Sequence, residues 1–498
     1  MKRKNIFKVS GAIAIITFLL GVSIGYSAVP SATTWLQSGS LTETANYLVW
    51  RDGSNYFVKN GETGRIFSDT NVTDLIEGYF ANDTTFHFKQ GTYVLTARFL
   101  FRECNRITFE GEGSNTIFVL SGSGSFPTGS AGYPWAVFSN NYAQDGSESY
   151  DITIKDLVIN GNDDVFAEIT YHLNGIGIQN CWGLTISNVW VEETSGFGVL
   201  VWSSTNVFIT NLDIDATGNS GTGNGADGLH IGGGDPHSAK EAGGEPLCGF
   251  NSGYGCRNVN INNYNAYGTG DDALAVFDSM YVNIENVLIS DSGSRGMELD
   301  NNWYVNINNF VVNGSEYSGV QIETANVGGA YNMHYTISNG KILGTNASNN
   351  LILSDARNVT VIGVKGFDSP NYAFVEAGTA DENSFIGCES WGATTSGYGI
   401  IGDNTVKLGC MEDGELQENS KWRNYGTATV ASDEWVPHGL GGQSNNVQLT
   451  NMVGTYDGVP LVVTWQSQNT TKFQVGVFWT NGTEITDDVI NIAWVARR

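Results

Sequence analysis

Three segments, VNINNY from Val259, VNIENV from Val282 and VNINNF from Val305, recur at intervals of 23 residues. LTISNV from Leu184 and VFITNL from Val207 keep the same interval, and DITIKDL from Asp151, YTISNG from Tyr335 and VTVIGV from Val359 extend the series. Aligned, they give two columns. One holds Ile154, Ile186, Ile209, Ile261, Ile284, Ile307, Ile337 and Val361; the other holds Asp156, Asn188, Asn211, Asn263, Asn286, Asn309, Asn339 and Gly363. Alternation of period two sends the Ile column inward, each residue stacking on the one a coil below. Asn, Asp and Gly tolerate left-handed backbone angles, so the second column marks a sharp turn at each strand end. One coil cannot bury its apolar face, whereas stacked coils make a continuous core. A β-sandwich does not predict two columns in step, and a leucine-rich repeat needs a Leu-rich helical half that is absent. The pattern predicts an all-β, right-handed parallel β-helix, the hand following from the rule for parallel crossovers.

The surroundings of this solenoid are constrained by charge and cysteine usage. The formal net charge of −27 repels nucleic acid and anionic lipid, which excludes both as partners. With 63 glycines and 8 prolines, the composition suits many tight turns between short strands. Six cysteines are too sparse for a disulfide scaffold. Cys248 and Cys256 flank a Gly-rich stretch and are candidates for a loop-closing disulfide. Cys104, Cys181, Cys388 and Cys410 read as buried small apolar residues. Scattered histidines and the lack of a Cys-x-x-Cys pair argue against structural zinc.

Along the chain, residues 1–30 carry Lys2, Arg3, Lys4 and Lys8 before an apolar run from Gly11 to Ala28. This predicts a signal peptide or membrane anchor, export to a secreted or cell-surface location, and membrane contact through this segment alone. Sequons at Asn71, Asn82, Asn313, Asn346, Asn358, Asn469 and Asn481 fit an exported glycoprotein. Residues 31–60 read as a lead-in with a turn at Arg51-Asp52-Gly53. Residues 61–120 read as an N-terminal cap and first coils, with a short amphipathic helix placing Leu75, Ile76 and Phe80 on one side. The parallel β-helix is expected over 121–410, weakening from Ser384, followed by a linker at 411–432. Residues 433–498 read as a small β-sandwich whose Trp465, Trp479 and Trp494 serve its core or stack on glycans.

A further strand per coil can be placed in register. Its outward turn column is Asn174, Phe197, Asp227, Asp272, Arg295 and Ser318; its middle column is Gly177, Leu200, His230, Ala275, Glu298 and Gln321; its far column is Gln179, Trp202, Gly232, Phe277, Asp300 and Glu323. Coils lie ~4.8 Å apart. Asp227, Asp271 and Asp272 therefore converge, and such crowding raises a pKa or recruits a cation. Three readings stay open for the cluster: catalytic acids of a glycoside hydrolase, a calcium site, and plain turn residues. His230, Arg295, Glu298, Phe197, Trp202 and Phe277 are candidate substrate-binding residues around it. An insertion from about Gly232 to Gly255 is placed to wall a cleft.

The coil pattern over about 61–410 resembles the pectin-lyase-like superfamily. Within it, NGADGLHI, GTGDDALAV and GSRGMEL resemble the successive motifs of polygalacturonases. That resemblance implies catalysis with inversion, with Asp272 as general acid and Asp227 and Asp271 activating water. Arg295 stands where the family has a histidine, Ala226 where it has threonine, Asn224 is displaced, and SGVQIE lacks the basic residues that read a uronate. These departures admit a neutral-sugar hydrolase, a uronate enzyme reading its substrate through Arg295, or a non-catalytic scaffold. Asp235-Pro236-His237 is similar to a triplet of alginate epimerases, and the tail from VPHGLGG resembles modules of phage-tail and cell-surface proteins. The leading expectation is an extracellular polysaccharide-cleaving glycoside hydrolase needing no cofactor. The alternatives are a non-catalytic surface glycan-binding or envelope protein and a calcium-dependent polysaccharide lyase. The expected partner is a polysaccharide or cell-surface glycan, and self-association as a homo-oligomer stays open.

Overall fold

The computed structural model describes residues 45–417 apart from 123–134, 141–147, 163–172, 219–225, 233–254 and 324–333, and the backbone of strands between 423 and 497. The N-terminal segment, the insertion's Asp235, Pro236, His237 and Cys248, Asn224, and the side chains of Trp465, Trp479 and Trp494 lie outside the described residues. Among the described residues no helix is long and apolar enough to cross a membrane.

The chain winds as a right-handed parallel β-helix. The two sequence columns appear as spaced. Ile154 pairs in register with Ile186, and the series runs through Ile209, Ile261, Ile284, Ile307 and Ile337 to Val361. Every member is buried, contributing on the order of 1.5–3 kcal/mol per side chain. Every member of the turn column, from Asp156 to Gly363, has positive φ. Most of these turns are kinks inside one long strand rather than breaks. Met280–Ser290 runs unbroken through Asn286. The left-handed residue shifts the alternation by one, so that Val282 and Ile284 before it and Val287 and Ile289 after it all point inward.

A hairpin and a short helix lie at the N-terminal end of the described coils. Tyr47–Asp52 and Asn55–Asn60 form an antiparallel hairpin whose first strand pairs parallel with Thr84–Phe88. The helix spans Val72–Glu77, capped by Asn71, whose side chain accepts from the Thr73 N–H and donates to Asp74 and Thr96. Leu75 and Ile76 are buried over the bore, and Phe80 meets Phe86, Phe99, Phe101 and Phe109 edge-on. At the other end, parallel pairing continues to Glu412, past the weakening of the sequence pattern. Glu415–Gln417 then turns back antiparallel. The strands between Arg423 and Arg497 form two antiparallel sheets.

Candidate active site on the groove sheet

A second parallel sheet runs through Leu173–Gln179, Val199–Trp202, Leu229–Gly232, Leu274–Phe277, Met297–Asp300 and Val320–Glu323. Its inward residues, such as Leu229, Ile231, Leu274 and Val276, are fully buried. Its middle outward column is Gly177, Leu200, His230, Ala275, Glu298 and Gln321, in the register expected from the spacing. Gly228 is required at the start of its strand: a Cβ there would lie 2.6 Å from the Tyr264 hydroxyl and 2.7 Å from the Ala273 carbonyl. The Tyr264 hydroxyl donates to the Ala273 carbonyl at 2.5 Å, which anchors the Ala273–Leu274 peptide to the core.

The register brings the three aspartates together. One carboxylate oxygen from each of Asp227, Asp271 and Asp272 lies within 4.8 Å of the others, the grouping of metal-ligand type found among the described residues. Asp227 and Asp272 are buried and Asp271 is half-buried. Oxygens at this spacing can also share a cation with bonds of about 2.4 Å.

Two pairs organise the cluster. The Asp227 Oδ2 lies 2.8 Å from His230 Nδ1, and its Oδ1 accepts from the Asp272 N–H at 3.3 Å. The His230 ring is held edge-on between Phe197 at 5.3 Å and Phe277 at 5.0 Å. His230 and Phe277, each expected as sugar contacts, are 3% exposed, and their rings pack on one another. In the second pair, Asp272 Oδ1 accepts from the Arg295 N–H at 2.7 Å, and the Glu298 carboxyl hydrogen-bonds to Asp272. Burial first, then Asp272 and Asp300, push the Glu298 pKa far above the carboxylate range. Two carboxyls in one hydrogen bond share one proton. Asp272 thus accepts from the Arg295 N–H on one side and meets the Glu298 carboxyl on the other.

Arg295 is the cation of this cluster. Its Nη1 lies 3.1 Å from Glu298 and 3.6 Å from Asp272, and its Nε donates to Gln321 Oε1 at 2.9 Å. Desolvation opposes its charge, but Asp272, Glu298, Asp300 and Asp271 outweigh it and raise its pKa. Trp202 and Phe197 stay half-buried on the upstream coil. Cys256 is a free thiol buried against the Val201 carbonyl. The clamps from Tyr264 and Gln321 have no signature in the sequence, Tyr264 being a buried inward residue of the opposite sheet.

The stacked coils have the architecture of a right-handed parallel β-helix. No protein-family model and no curated protein matches the chain. Solved structures similar to it include the mannuronan C-5 epimerase A-module of Azotobacter vinelandii, at 17% identity over 68% of this chain and 93% of that one, TM-score 0.41. A tailspike protein of E. coli bacteriophage HK620, solved with a pentasaccharide, is 10% identical over 86% and 88%, TM-score 0.48. An exopolygalacturonase from Thermotoga maritima is 12% identical over 69% and 87%, TM-score 0.40.

Proposed function

We propose that this chain is a carbohydrate-active protein, exported by its N-terminal segment, that cleaves a polysaccharide lying along the groove sheet. The observation that carries the reading is the convergence of Asp227, Asp271 and Asp272 within 4.8 Å, beside the hydrogen-bonded pair of Asp272 and Glu298. Hydrolysis of a glycoside needs one carboxyl holding a proton and another without. The Asp272–Glu298 pair supplies the proton, Glu298 storing it and Asp272 passing it to the leaving oxygen. Asp227, oriented by His230, and Asp271 activate the water. Phe197 and Trp202 flank the sugar rings upstream.

The preferred glycan carries no carboxylate at the Arg295 position. That guanidinium is already engaged by Glu298, Asp272 and Gln321, and a uronate there would meet Asp272, Glu298 and Asp300. A second reading, a calcium-dependent glycan lyase or binding protein, is favoured by the same three oxygens at cation-sharing distance. The deciding measurement is reducing-end release from a panel of neutral and acidic glycans. Asp272→Asn is expected to lose about 10²–10⁴-fold in rate, with the wild-type rate indifferent to chelator. Equal rates in variant and wild type would end the hydrolase reading. Chelator-dependent unsaturated ends would install the lyase, and binding without turnover an adhesin.

A further inference from the structure

We propose that Cys388 and Cys410 are a disulfide pair that staples the last coil of the β-helix to the coil beneath it. Glu389 pairs in register with Met411, and the Met411 N–H donates to the Cys388 carbonyl at 2.8 Å, so the two cysteines stand one above the other on adjacent coils. Their thiols point the same way. Cys388 Sγ lies 3.4 Å from the Val361 carbonyl and Cys410 Sγ 3.2 Å from that of Phe385, which itself stands over Val361. Both are free thiols in this structure, each donating to a carbonyl of the coil beneath. A one-coil step of ~4.8 Å falls within the ~4.4–6.8 Å between Cα atoms that a disulfide spans. Cys181 and Cys256 make the contrast: Ser204 stands on the coil between them, its N–H pointing to Cys256 Sγ at 3.5 Å and its hydroxyl accepting from the Cys181 N–H at 3.1 Å. Two coil steps, ~9.6 Å, exceed that reach.

The surroundings suit the chemistry. The proximity of Cys388 lowers the Cys410 thiol while Cys388 is raised, and the Tyr398 hydroxyl bridges the two coils by donating to the Cys388 carbonyl at 2.8 Å and the Met411 carbonyl at 3.3 Å. The Lys407 ammonium lies near enough to interact with Cys410 and sits over the Tyr398 ring at 5.1 Å. The oxidant required is a small disulfide or a thiol-oxidising protein. The Cys410 thiolate attacks one sulfur of the oxidant disulfide and expels a thiolate. Cys388, losing its proton, then attacks the Cys410 sulfur and expels the second. Two protein thiols become one S–S bond, and one oxidant disulfide becomes two thiols. Both cysteines are fully buried, so the exchange takes place before the last coil docks or while it is open. The bond ties down the solenoid where parallel pairing ends and the chain turns back at Glu415–Gln417, the end that frays most readily.

The test uses the full chain made in two ways, exported into an oxidising compartment and retained in a reducing cytoplasm. Each preparation is acid-quenched, denatured, alkylated and peptide-mapped. The exported protein is expected to yield a linked Cys388–Cys410 peptide, with Cys104 and Cys181 alkylated. Cleavage of the 388–417 region by protease should be about tenfold slower than in the reduced protein. In Cys388→Ser and in Cys410→Ala, that protection should no longer depend on redox state. Full alkylation of both cysteines, even after warming and recooling with oxidised glutathione, would overturn the pairing. Protection in the wild type that ignores redox state would overturn the staple.

Discussion

The molecule carries two polar columns at equivalent places on successive coils, and they behave in opposite ways. On the outer corner nearly every residue is asparagine. Asn188 donates to Asp156, Asn211 to Asn188, Asn263 to Asn211 and Asn309 to Asn286, at 2.6–2.9 Å. A carboxamide both donates and accepts, so it can stack on itself without limit. On the groove corner no residue repeats from coil to coil: Asn174, Phe197, Asp227, Asp272, Arg295 and Ser318 follow one another. A carboxylate only accepts, so Asp272 above Asp227 must be compensated, and His230, Arg295 and the proton shared with Glu298 do so. Where the solenoid repeats, the residues serve stacking. Where repetition is broken by groups that cannot stack on themselves, chemistry is stored.

The comparison can be broken most severely from within. Ile284→Ala removes a link of the inward column beneath both corners and should cost about 2–5 kcal/mol, read as a lowered denaturation midpoint. Groove function should fall with it only near the transition. Glu298→Gln sharpens the groove side. The raised folded-state pKa of Glu298 means the folded protein binds the proton more tightly. That contribution is complete below the pKa of an unfolded glutamate and is lost as pH rises toward the folded value. The wild type should therefore lose more stability between about pH 5 and 9 than Glu298→Gln, whose amide stays neutral and can still donate to Asp272. Parallel curves would place the proton elsewhere. The smallest effect belongs to the outer corner. Asn286→Ala should cost about 1–2 kcal/mol, from a Cβ at φ 56° without a polar side chain, while Asn286→Gly should stay within about 0.5 kcal/mol. Equal losses for the two would remove backbone conformation as the reason for the column.

The coils were legible because their determinants are local and periodic. Alternation fixes which way a side chain points, and Asn or Gly at a left-handed position is a single-residue property, so both columns could be read at a spacing of 23. The buried Leu75 and Ile76 of the short helix followed for the same reason, whereas its cap at Asn71 was seen only in the fold. The convergence of Asp227 and Asp272 also followed, because register alone sets it. What the register does not contain is how side chains settle once they meet. Burial and Asp272 raise the Glu298 carboxyl far above its ordinary range. His230 is spent on Asp227, and Phe277 packs against the His230 ring. Each outcome depends on burial and on hydrogen bonds between residues more than twenty positions apart, or on rotamers chosen by packing. The coil ending at Glu412 and the Cys388–Cys410 stack belong to the same class. Their spacing of 22 steps off the repeat, so only the folded ladder sets one thiol over the other.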